Sequence, residues 1–440
     1  MIYAEETRPR PGSGTTTRET IRMPALDGLR GVAALLVVVG HFFSSPIPVK
    51  NQMNRLMSAA VYFGIGNFGV VLFFCLSSFL LTFLFVKEFD KFHTNKFLWF
   101  FARRSLRIWP LYFCFLAIVN IIVYFHELPV ETLEPARTYL EKYNVFLFSY
   151  LSNWLYATTV YTDTVPGNTG FLNILWSLGV EEQIYIILPF IASLLLITHQ
   201  KMRIAISIIL FSLVSRTIYI ILCKQRLNGG MYYSTLSYTD IYFIAGLIGA
   251  LYARGACEKR YRALFSKFTV VSAIGLLLIC MHQFTENALA PYGLISLIIY
   301  PILGVLTSYL IVVVVTFDNN IISRVLSTQF SRACGALAYS AYIWHFIFMV
   351  FMKHYFFETK IYDLTLIENS LIFQLGYFSL YLSSVLAIAC LSHGFIELPF
   401  LRIKERLSVT GGINIFSWKK YFLYSSSFSG VMFVFLWCLS

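Results

Sequence analysis

The sequence predicts an all-α fold, a polytopic membrane helical bundle of about ten to eleven transmembrane helices with its N-terminus in the cytoplasm. Three observations carry this expectation. Of 440 residues, 58% are apolar, 18% aromatic and only 13% charged, a mixture suited to hydrocarbon rather than water as solvent. Apolar stretches of the roughly 20 residues needed to cross a bilayer recur from Leu26 to the C-terminus. Most of the 34 Lys and Arg residues fall on alternate connecting segments, which is the positive-inside asymmetry of a multi-pass protein.

Taken in order, residues 1–24 are polar and contain Glu5, Glu6 and Glu19, unlike a secretory signal; they read as a disordered cytoplasmic tail. Spans are expected at 26–43, 67–86, 108–125, 172–198, 204–222, 237–253, 268–285, 292–316, 334–352, 371–394 and 421–440. Residues 25–402 then form one transmembrane domain, and residues 403–440 a linker, from Leu407 to Trp418, plus an extra C-terminal helix. The apolar, aromatic stretch 144–160 is long enough to be a marginal span. Counting it would invert every later loop and put the basic ones outside, so it reads as a re-entrant or interfacial segment buried against protein. The net charge of +12 sets topology, and no nucleic-acid partner is expected. Eight scattered cysteines lack metal spacing and read as small buried hydrophobes; no metal is expected.

Ionisable groups inside spans are the informative residues, since each costs at least ~2.5 to 3.5 kcal/mol at the centre of a helix. In A-L-D-G-L-R-G-V-A-A-L-L-V-V-V-G-H, Arg30 and His41 are 11 residues apart. Eleven steps of about 100° return within about 20° of the same helix face, at roughly 16 Å along the axis. Asp27 lies one turn before Arg30 and can pair with it. In R-R-S-L-R-I-W-P-L-Y, a topogenic stop signal would suffice for Arg103 and Arg104, whereas Arg107, one turn on, can join Arg30 in a guanidinium cluster fit for phosphates. In W-S-L-G-V-E-E-Q-I-Y, Glu181 shares a face with Ser177 and Tyr185, while Glu182 points about 100° away; Trp176 precedes this group. In A-Y-S-A-Y-I-W-H, His345 is either a satisfied core histidine or part of a site. Glu397 reads as an ion-pair partner of Arg402 or a site residue, and Arg216 and Asp240 are further candidates.

These blocks carry a resemblance to acyltransferase family 3, bacterial integral-membrane proteins that O-acylate carbohydrates. D-G-L-R-G-V-A followed by His41 is similar to the family's first-helix pattern, and L-S-S-F-L-L-T resembles its L-S-G-F-L-x-T. R-R-S-L-R-I-W-P, W-S-L-G-V-E-E-Q-I-Y, Y-S-A-Y-I-W-H and F-I-E-L-P-F follow in the family's order. Ser78 departs from the usual Gly and is expected to alter close helix packing. No SGNH-type hydrolase domain is appended within these 440 residues.

The resemblance implies a cytoplasmic acyl-CoA donor, most plausibly acetyl-CoA, and a carbohydrate acceptor, a surface polysaccharide or a lipid-linked or exported glycan, handled in the cell (inner) membrane. It implies that Arg30, Arg104 and Arg107 bind the donor. His41 would act as base with Glu181 and Asp27, and Trp176, Ser177, Glu182, Tyr185 and His345 would line the substrate path. Read from the residues alone, a transporter or flippase would need similar intramembrane Arg, His and Glu, but the sequence lacks the paired half-helices and internal symmetry of such folds. Walker, Rossmann, zinc and G-x-S-x-G patterns are all missing from it.

Overall fold

The computed structural model describes residues 23–44, 64–92, 97–125, 130–159, 170–197, 201–222, 230–255, 267–289, 295–316, 320–353 and 371–410. The described residues are helical in all their regular elements. In chain order those of six or more residues are α1 (Pro24–Ser44), α2 (Ile65–Phe92), α3 (Phe97–Phe125), α4 (Val130–Phe148), α5 (Ser152–Thr159), α6 (Leu175–Ile197) and α7 (Lys201–Leu222). There follow α8 (Thr239–Ala253), α9 (Lys267–Leu289), α10 (Ile295–Thr316), α11 (Ile321–Leu326), α12 (Gln329–Lys353), α13 (Leu371–Ser392) and α14 (Leu398–Thr410). A π-helical turn, His393–Glu397, joins the last two.

Nine helices among the described residues are long and apolar enough to cross a membrane. They match nine of the eleven expected spans. A tenth, α9, carries only the shorter apolar stretch Val270–His282, and the expected span 421–440 and tail 1–22 lie outside the described residues. Helix α14 continues to Thr410, so the expected linker from Leu407 starts inside a helix.

Helix directions settle what the hydropathy of α9 and of segment 144–160 leaves open. Gly69 packs on Val37 and Gly66 on Gly40, so α2 runs antiparallel to α1. Ser78 meets Tyr242 and Phe83 packs with Ala253, so α8 runs parallel to α2. Three crossings must therefore separate α2 from α8, and α3, α6 and α7 supply them; residues 130–159 add none. Gly31 packs on Gly335 and His41 meets His345, so α12 runs parallel to α1 and antiparallel to α8. Two crossings must lie between α8 and α12, which requires α9 as well as α10. At 1.5 Å per residue, its 23 residues are long enough.

The segment read as re-entrant is two helices, α4 and α5, broken at Tyr150, a non-glycine residue with φ of 57°. Its backbone there is held from α6. The Gln183 amide donates to the Tyr150 carbonyl and to Asn153 Oδ1, both at 2.8 Å, and its carbonyl accepts from Trp154 at 2.7 Å and Thr235 at 2.6 Å. All four bonding positions of one side-chain amide are used, on a segment whose irregular backbone needs protein partners.

Helix α2 is apolar on every face, the pattern of a buried helix, and it lies against α1, α8, α6 and α10. Glycines set the separations. A Cβ on Gly335 would stand 1.8 Å from the Asp27 carbonyl oxygen, and one on Gly249 2.3 Å from that of Phe79. The unusual Ser78 is accommodated from the other side: its hydroxyl donates to the Tyr242 carbonyl at 2.5 Å, and Gly246 faces it on α8.

Candidate active site

Arg30 projects from α1, Arg104 and Arg107 from α3, and Ser177, Glu181 and Tyr185 from α6, into one cavity closed by Phe73 and Ser77 of α2 and by Tyr339 and Tyr342 of α12. The one-face reading of Ser177, Glu181 and Tyr185 holds, and the expected guanidinium cluster is assembled. All three guanidiniums line the same cavity. Arg30 is tied to Asp27 at 3.0 Å, and Arg104 lies over the Tyr185 ring, 5.0 Å from its centroid. Arg107 has no hydrogen-bonding partner among the described residues. Arg103, by contrast, points away to Glu88 at 2.7 Å, as a topogenic residue would.

Glu181 is the carboxylate of the cavity. It accepts from Ser77 at 2.5 Å and from the Tyr185 hydroxyl, which also reaches Ser77 at 3.0 Å. Beyond it the cavity ends at a bridge between the Ser177 and Tyr342 hydroxyls, 2.5 Å apart. Tyr342 also donates to the Ile174 carbonyl at 3.1 Å.

His41 does not line the cavity; it is linked to it through His345 and Tyr342. Its Nδ1 is 3.1 Å from the Nε2 of His345 and 3.1 Å from the carbonyl oxygen of Val37. Its partner is therefore His345, and Glu181 is occupied with Ser77 and Tyr185. His345 is fully buried, and its Nδ1 lies 2.6 Å from the Tyr342 carbonyl oxygen. Tyr342 thus closes the cavity with its hydroxyl and holds the histidine pair with its backbone.

Other expected site residues lie off the cavity. The Asp27 side chain is 46% exposed and reaches the cavity only through Arg30. Trp176 is buried among Tyr232, Tyr233, Tyr238 and Phe74. Glu182 turns to Trp109, which donates to it at 3.5 Å. Arg216 and Asp240, two separate candidates in the sequence, are one fully buried pair at 2.7 Å, with Arg216 also donating to the Ser237 and Leu297 carbonyls. Glu397 bonds Ser340 and His393 rather than Arg402. Among the described residues no cluster of three or more His, Cys, Asp or Glu side chains is placed to hold a metal ion.

Four residues of this neighbourhood escaped the sequence reading as participants: Ser77, Gly179, Gln183 and Tyr342. Gly179 and Gln183 had a readable signal, the i, i+4 spacing that puts both on one face. A Cβ on Gly179 would stand 2.9 Å from the Tyr150 carbonyl oxygen, which Gln183 binds one turn later. Ser77 and Tyr342 had none, since their partners lie more than 100 residues away.

The chain is 25% identical over 409 residues to a "Putative O-acetyltransferase" of Staphylococcus aureus strain MRSA252, covering 91% of this chain and 59% of the relative. It is 23% identical over 379 residues to the O-acetyltransferase OatA of Staphylococcus aureus strain NCTC 8325, covering 81% of this chain and 56% of that protein. The chain thus spans less than two thirds of the length of these relatives. No solved structure matches. A family profile described as an acyltransferase domain matches residues 23–394, nearly all of the described helices, and the chain belongs to that family, acyltransferase family 3.

Proposed function

We propose that this protein is a membrane-embedded O-acyltransferase that moves an acetyl group from acetyl-CoA, bound from the cytoplasmic side, to a hydroxyl of a cell-surface or exported carbohydrate. The N-terminus is cytoplasmic in this reading and the membrane is the inner one. The observation that carries it is the cavity with three guanidiniums, of which Arg107 has no hydrogen-bonding partner among the described residues, bounded by Tyr342, whose backbone meets His345 of the histidine pair. Clustered cations in a low-dielectric site favour a polyanion, and forked guanidiniums suit phosphates. The phosphates of the donor supply such a polyanion, and the thioester at its far end would reach toward Tyr342 and His41.

The chemistry is a direct transfer. His41 Nε2 takes the proton of the acceptor hydroxyl as its oxygen bonds to the thioester carbonyl carbon. The carbon–sulfur bond then breaks, and the leaving thiolate takes that proton, so that alcohol and thioester become ester and thiol. General-base assistance of this kind contributes typically ~10² to 10⁴ in rate. Glu181, fixed by Ser77 and Tyr185, balances the guanidinium charge beside the thioester.

The test is acetyl-CoA-dependent thiol release in membranes supplied with envelope glycan. Arg107→Met is expected to raise the KM for acetyl-CoA at least about 10-fold, the loss of one charge-assisted contact. An unchanged KM, with the protein inserted, removes the phosphate-binding role of the cluster.

A further inference from the structure

We propose that His345 is a positioning residue, which rests on the function proposed above: it holds His41 in the tautomer whose Nε2 is the free base. Three contacts determine this. The Val37 carbonyl, 3.1 Å from His41 Nδ1, can only accept, so Nδ1 carries the proton. The Tyr342 carbonyl, 2.6 Å from His345 Nδ1, can only accept, so the proton of neutral His345 is there as well. His345 Nε2 is then a lone pair, 3.1 Å from His41 Nδ1, and shares the one proton of that nitrogen with the Val37 carbonyl as a second acceptor. No other pair of neutral tautomers satisfies all three contacts.

The consequence falls on the far side of the His41 ring, where Nε2 is left with a lone pair. When that atom takes a proton, the Nδ1–H becomes part of an imidazolium and its bond to His345 becomes charge-assisted. His345 does this from a fully buried position, and the Phe346 ring packs edge-on against His41, 5.1 Å between centroids, so the imidazole has little room to flip. Tyr381 donates to the His345 carbonyl at 3.3 Å and braces the same turn. An orienting group of this kind is a general feature of histidine bases and ligands.

The test combines kinetics with a spectroscopic readout on the full-length protein in lipid. In wild type selectively labelled with ¹⁵N-histidine, with His41→Ala used for assignment, solid-state NMR is expected to show His41 protonated at Nδ1 and bare at Nε2. His345→Leu removes the acceptor and is expected to lower kcat roughly 10- to 100-fold at an unchanged acetyl-CoA KM. His345→Gln, whose carbonyl can accept from His41, is expected to recover most of that loss. Protonation of wild-type His41 at Nε2, or a His345→Leu rate equal to wild type, overturns the role of His345 alone. No thiol release from wild type overturns the proposed function and this role with it.

Discussion

Gly335→Ala perturbs the account at its tightest point. The new Cβ would stand 1.8 Å from the Asp27 carbonyl oxygen and 2.5 Å from its carbon, both backbone atoms of α1. Side-chain carbons do not approach closer than 3.0 Å, so α1 and α12 must separate by at least about 1.2 Å, in a core too close-packed to absorb it locally. Overpacking of this size costs typically 1 to 3 kcal/mol. The displaced turn carries Asp27 and, three residues on, Arg30, whose guanidinium lines the candidate cavity. A misplacement of about 1 Å at reacting groups can cost on the order of 10² in rate. We expect thiol release from acetyl-CoA to fall by about that factor, with a lowered unfolding temperature. Gly275→Ala and Gly376→Ala, where a Cβ meets nothing within 4 Å, are the controls and should behave as wild type. A Gly335→Ala protein with wild-type rate and stability would refute the claim that α1–α12 packing positions Arg30.

Three further outcomes are expected. Arg216→Leu leaves Asp240 as a buried unpaired carboxylate and should destabilise by about 3 to 5 kcal/mol; Arg216→Leu with Asp240→Leu should be milder, by thermal unfolding in detergent. Gln183→Leu removes three hydrogen bonds from the α4–α5 break and one from Thr235, and should cost at least about 2 kcal/mol, read as faster limited proteolysis near Tyr150. Glu181→Gln preserves shape but removes the charge among the guanidiniums, and kcat should drop at least about 10-fold while membrane insertion is unchanged.

Much of this organisation was legible because membrane insertion leaves large marks. Spans announce themselves by length and hydropathy, and an intramembrane Arg or Glu is costly enough to demand a partner or a role. The face shared by Ser177, Glu181 and Tyr185 followed from helical period alone. What period could not supply was partnership across the bundle. His41 has the unusual separation from Arg30 that marks it, yet nothing local says that its partner is His345 rather than Glu181. Arg216 and Asp240 looked like two candidates because 24 residues separate them. Apolar composition flagged 144–160 as a span, and charge balance argued against it. The physical reason is Tyr150, whose positive φ interrupts the helix and whose carbonyl needs Gln183. The serine at position 78 was read as a packing change, and the Gly246 that faces it was visible only once α8 was seen beside α2.

The central claim is a transfer from acetyl-CoA that depends on His41. The most direct measurement is the appearance of radiolabelled acetyl groups in the envelope carbohydrate fraction of membranes carrying wild type or His41→Ala, both verified as inserted. Label with wild type, and at least about 10²-fold less with His41→Ala, is the predicted result. Equal labelling by the two proteins, or none by wild type in the presence of donor and glycan, would contradict it.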